Sequence, residues 1–201
     1  MFDLIQELDA IERGVARDAE TVTATVSRTY RATAEEVWDA VTNPERLPRW
    51  FYPVTGNLRE GGEFQLVGNA GGRILRCEAP NRLEVTFGGP DSILVLSITQ
   101  EGEWTTLQLV HTVPLAIAQS GAGALFVGPG WDGALLGLGL HLDGQDVGDP
   151  LAAANSPEVI EFNRGSIERW TGAVERSGSA TGDEIAALRE IAVAQYTVVP
   201  E

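Results

Sequence analysis

The chain offers few residues for chemistry, and His111 is the sharpest of them. It ends an alternating run, Leu107-x-Leu109-x-His111, so if the leucines face inward the imidazole does too. An inward imidazole can donate to a ligand carbonyl or move a proton near neutral pH; equally, it can sit in a core, bonded to a neighbouring backbone or side-chain group. Arg76 and Glu78 share a strand face, with Arg73 close by. Turned into a pocket they would complete an acid–base set with His111, whereas strand surface is the commoner fate of such residues. Cys77 falls on the other face of that strand and reads as a buried apolar residue. His141 neighbours Asp143 and reads as solvent-facing.

Other chemistries fall away. Two histidines without HxxxH or HxH spacing, and a single cysteine, give no metal site and no internal disulfide. Gly121-x-Gly123 and Gly137-x-Gly139 lack the third glycine and the preceding strand that phosphate binding needs. Ser120 lies between Gln119 and Gly121, so no G-x-S-x-G elbow exists. No carboxylate pair stands out from the general acidity, and no cofactor is expected.

The bulk composition narrows the partners. The 201 residues are 43 % hydrophobic and 21 % charged, as in a globular protein with a real core. Acidic residues outnumber basic ones 29 to 14, for a formal charge of −15. That surface repels phosphate backbones and anionic lipid heads, so neither nucleic acid nor membrane is an expected partner. The first residues, MFDLIQELDAIERG, are acidic and lack a signal-peptide pattern, and the apolar stretch from Gly133 to Leu142 is too short to cross a bilayer. The expected location is the cytoplasm.

Periodicity supplies the elements that must position these residues. Leu4, Leu8, Ile11 and Val15 predict an amphipathic helix within residues 1–20. Val22, Ala24 and Val26 alternate with threonines and predict a half-buried strand. Thr33-Ala-Glu-Glu36 is a capping box for a helix that Asn43-Pro44 stops, with a second short helix following. From Gly56 to Val113, short strands joined by tight turns predict an antiparallel meander. Residues 114–130 read as a loop, and Trp131, Leu135, Leu138 and Leu142 mark one face of a glycine-rich helix expected either to pack closely on something or to form only against the sheet. After a linker from Asp143 to Asn155, Ser156-Pro157-Glu158 and Thr181-Gly-Asp-Glu184 open the two helices of a C-terminal hairpin.

The ordered set Val37-Trp38-Asp39-Ala40, Thr42-Asn43-Pro44-Glu45, Arg49-Trp50-Phe51, Gly61-Gly62, Pro80 with Leu83, Leu107-x-Leu109-x-His111 and Gly130-Trp131 through Leu142-Asp143-Gly144 resembles the START-like (SRPBCC) superfamily, the birch-pollen-allergen fold. Within it, the chain is most similar to bacterial homologues of the heat-shock-protein-90 ATPase activator domain, a group with a stress-response association. The resemblance covers about residues 22–144, and Phe87 stands where such proteins often have tryptophan. It implies an α+β helix-grip fold, a curved antiparallel sheet wrapped around a long late helix. The domain expected is 21–144, preceded by a helix in 1–20 and followed by a helical extension, 145–201, packed on it.

The fold so implied holds a cavity between the sheet and the late helix. Strand parity names its expected lining: Leu94 and Leu96 on one strand, Leu107, Leu109 and His111 on the next, with Phe64, Leu66, Val85 and Phe87 beyond. Trp131, Leu135 and Leu138 would face them from the helix, and Trp50 would stand at the entrance. Each of these apolar residues is also well explained by core packing alone. Three functions compete: binding of a hydrophobic small molecule such as a lipid, polyketide or aromatic metabolite; a cavity enzyme, cyclase-like or hydrolase-like, built on His111; and a co-chaperone-like interaction protein. The amphipathic ends offer a homodimer surface.

Overall fold

The computed structural model describes residues 3–145 and 148–198. Asp3 caps helix α1 (Leu4–Asp9) by accepting from the Ile5 and Gln6 amides at 3.0 and 3.2 Å. The helix stops there, and Ile11–Arg17 is strand β1. This corrects the expected longer helix. A spacing of four is even, so Ile11 and Val15 share a strand face as readily as a helix face, and their β-branching favours the strand.

Strand β2 (Thr21–Tyr30) buries Val22, Ala24 and Val26 as the alternation requires. Thr33 caps helix α2 (Ala34–Thr42) by accepting from the Glu36 amide at 3.2 Å. Asn43 then closes a turn, its side chain accepting from the Glu45 amide, and the second short helix is only a 3₁₀ turn at Leu47–Arg49.

The meander follows as β3 (Val54–Gly56), β4 (Glu63–Leu66), β5 (Gly71–Glu78), β6 (Arg82–Thr86), β7 (Ile93–Glu101) and β8 (Trp104–Pro114). All eight strands form one curved antiparallel sheet, in the order β1-β2-β8-β7-β6-β5-β4-β3, the sheet of a helix-grip α+β fold. Register sets Val54 opposite Leu66, Ile74 opposite Val85 and Val85 opposite Leu94, so these side chains share one face.

Residues 114–130, expected as a loop, hold helix α3 (Leu115–Ala118) and a 3₁₀ segment, Gly121–Phe126. Gly121 through Leu125 are all buried, and a segment buried all round shows no amphipathic period. Next come α4 (Gly128–Leu142), α5 (Pro150–Ala154) inside the expected linker, and the C-terminal pair α6 (Pro157–Ser177) and α7 (Gly182–Tyr196). Ser156 caps α6, and α7 opens with the full Thr181–Glu184 capping box.

The chain folds into two compact units. The first draws on residues up to Val26, Thr112–Leu136 and those from Ala153 on; the second comprises Ser27–His111 and Gly137–Ala152. In the first, α6 packs against α1, β1, α7 and the 3₁₀ segment; in the second, α2 packs against β7.

Candidate functional site

In the second unit, β8 buries Leu107, Leu109 and His111 on one face. His111 is 3 % exposed, and its Nε2 lies 2.8 Å from the Ser92 Oγ, itself 8 % exposed. Ser92 stands one residue before β7 and continues the parity of Leu94, Leu96 and Ile98. Phe87 meets the imidazole edge-on at 5.7 Å between ring centroids, and Phe64 lies 6.5 Å from Phe87. Burial pushes the His111 pKa down to about 4, so the ring is neutral at neutral pH. A neutral imidazole carries one donor and one acceptor, and beside a serine hydroxyl it forms a polar pair without charge.

The surrounding face is apolar. Leu66, Ile74, Val85 and Leu94 are buried, whereas Phe64, Leu83, Phe87 and Leu96 on the same face remain half-buried. Arg28 keeps the inward parity of Val26 and Tyr30 on β2; its guanidinium lies 5.3 Å from the centroid of the Tyr30 ring. Two glycines of α4 are explained on this side: a Cβ at Gly139 would stand 2.9 Å from the Arg28 Nη2, and one at Gly137 would stand 3.0 Å from the Trp50 carbonyl oxygen. Trp50 is buried, and its indole N–H donates to the Ala40 carbonyl at 3.1 Å. Leu138 is fully buried.

Arg76 and Glu78 do not come to His111. A register shift between Ile74 and Arg76 sets Arg76 opposite Glu84, on the face turned away from Val85. There it donates to Glu78 at 2.6 Å, both side chains half exposed to solvent. Cys77 is exposed, not buried: the shift sets it opposite Leu83, near the end of β5, where Leu83 itself is only half-buried. His141 is also not simply solvent-facing: its Nε2 accepts from the Arg46 Nε and Nη2 at 3.3 and 3.1 Å, while Arg46 Nη1 donates to Asp39 at 2.9 Å. Burial and the positive Arg46 and Arg49 hold its pKa below the usual histidine value.

The family profile described as "Activator of Hsp90 ATPase homolog 1-like protein" matches residues 31–140, more than half of the chain. The chain belongs to this family. CalU16 from Micromonospora echinospora is similar at 38 % identity in its crystal structure, over 82 % of this chain and 98 % of that one, with a TM-score of 0.68. The solution structure of CalU16 gives 36 % identity over 84 % and 97 % of the two chains, with a TM-score of 0.71. Protein Ms6760 from Mycobacterium smegmatis shares the fold at 22 % identity, over 65 % of this chain and 96 % of its own, with a TM-score of 0.51. No curated protein matches. Among the described residues, no helix is long and apolar enough to cross a membrane.

This family member also buries a charge that sequence reasoning missed. In the first unit, Trp131 and Leu135 are buried, and between them Asp132 is 0 % exposed. Its Oδ2 accepts from the Arg13 Nε at 2.7 Å and from the Ser166 hydroxyl at 2.5 Å. Arg13 Nη1 also donates to the Leu8 and Ile11 carbonyls at 3.0 and 2.7 Å. Burial raises the Asp132 pKa above the ordinary carboxylate range; Arg13, Ser166 and the Trp170 indole pull it back. The signal was available: Asp132 is the one acidic residue in a fifteen-residue apolar helix, and such a residue is kept only when paired. Ser92 and Arg28 were missed although strand parity points both inward.

Proposed function

We propose that this protein binds a hydrophobic small molecule against the apolar inner face of the sheet in its second unit. The observation that carries the reading is the set of half-buried apolar side chains, Phe64, Leu83, Phe87 and Leu96, on a face whose neighbours Val85, Leu94 and Leu109 are buried. Side chains left part-open in this way, beside the uncharged Ser92–His111 pair, suit an apolar ligand with one orienting group. The enzymatic reading required His111 with Arg76 or Glu78, and that pair is spent on itself across the sheet. The formal charge of −15 disfavours nucleic acid and anionic membrane, and the proposed location is the cytoplasm.

The neutral dye N-phenyl-1-naphthylamine, which brightens in apolar surroundings, tests this. Saturable, one-to-one binding with a micromolar Kd is the expected outcome. Replacing Leu96 with Asp, which puts a charge on the face, should weaken binding by tenfold or more, about 1.4 kcal/mol. A wild-type protein that leaves the dye dark sinks the proposal.

A further inference from the structure

On the stretch of inner face formed by Phe64, Val85, Phe87, Leu94 and Leu109, the polar groups come from Ser92 and His111. We propose that the Ser92–His111 pair anchors a neutral oxygen group, a hydroxyl or a carbonyl, carried on an aromatic ring that lies against Phe87 and Phe64. The proposal rests on the binding reading above and names the ligand class for it.

The pair can serve either oxygen group. With Ser92 donating to Nε2, the serine oxygen keeps lone pairs that accept from a ligand hydroxyl. With the tautomer reversed, Nε2–H donates to Ser92, and the serine O–H is released to donate to a ligand carbonyl. An anion is served by neither arrangement, because the imidazole is neutral and a buried carboxylate needs a cation. The cation on the same sheet face is Arg28, whose guanidinium lies over Tyr30 and beside Gly139. The aromatic character follows from the edge-on Phe87–His111 contact and the tilted Phe64–Phe87 pair, which present ring faces and edges for offset or T-shaped packing.

Three probes of one shape test the idea on the whole protein: 2-naphthol, naphthalene and 2-naphthoate. The expected order at neutral pH is 2-naphthol first, about tenfold tighter than naphthalene as one buried hydrogen bond allows, with 2-naphthoate weakest. The chain has two histidines, so ring-nitrogen NMR of the wild type reads the contact directly. The His111 signals should move with 2-naphthol but not with naphthalene, and those of His141 with neither. Ser92→Ala should close the gap between the two probes, and Ser92→Thr, which keeps the hydroxyl, should reopen it; the wild-type NMR decides alone if Ser92→Ala does not fold. Equal affinities with an unmoved His111, or 2-naphthoate binding tightest, overturns the anchor. If the neutral dye binds and 2-naphthol does not, the anchor falls and the binding reading stands; if neither binds, both fall.

Discussion

His111 couples stability to pH, because its burial disfavours the charged imidazole. The folded pKa is about 4 against a reference of 6.5, so between those values the unfolded chain binds more protons than the folded one. Stability from this group is therefore complete above pH 6.5 and is lost as the pH falls toward 4, by on the order of 3 kcal/mol in all. Urea unfolding across this window should show that rise with pH, and His111→Gln should flatten it. A wild-type slope unchanged by the substitution would show that the imidazole is not the titrating group. The parity that turned His111 inward was legible in Leu107-x-Leu109-x-His111, and carrying the same rule two residues back from Leu94 would have reached Ser92. Which residue the imidazole bonds was not legible, since that depends on strand register, and register is set by pairings distant in sequence.

At the scale of elements, the glycines of α4 have different neighbours and predict different outcomes. Alanine should add up to about 1 kcal/mol of helix propensity at each site, and the local space decides whether that gain survives. At Gly133 nothing lies within 4 Å of a new Cβ, so Gly133→Ala should stabilise by nearly the full amount. At Gly139 the obstacle is the far end of the Arg28 side chain, which can shift, and the net effect should be close to zero. At Gly137 it is the Trp50 carbonyl oxygen, which is backbone, so Gly137→Ala should destabilise by about 1 kcal/mol or more. Thermal melts of the three variants check the order; a stabilised Gly137→Ala would contradict the close contact. That the helix packs closely was one of two readings its glycine content offered. The start of β1 and the shift in β5 were not: Ile11 and Val15 fit a helix and a strand alike, and no residue type near Ile74 and Arg76 announces where the register slips.

At the scale of the whole molecule, the helices from Pro157 on bury side chains within the first unit. The family match ends at residue 140, yet Asp132 inside it has its partners outside it, in Arg13 and Ser166. A Cβ at Gly128, the first residue of α4, would stand 2.4 Å from the Trp170 ring, and the Tyr196 hydroxyl donates to the Phe126 carbonyl at 2.5 Å. Phe162, Ile167, Trp170 and Val174 of α6 are buried in the first unit. At about 1.5–3 kcal/mol for each such side chain, their loss approaches the whole stability of an ordinary domain, about 5–15 kcal/mol. It also strips the Ser166 bond from a buried carboxylate and uncovers the 3₁₀ segment that holds Leu125. A chain ended at Gln145 should therefore lose its cooperative melt and its near-ultraviolet circular dichroism, even though it contains every residue of the family match. If that shortened chain melted sharply within a few degrees of the full protein, the C-terminal helices would be dispensable, and the core assigned to the first unit would be wrong.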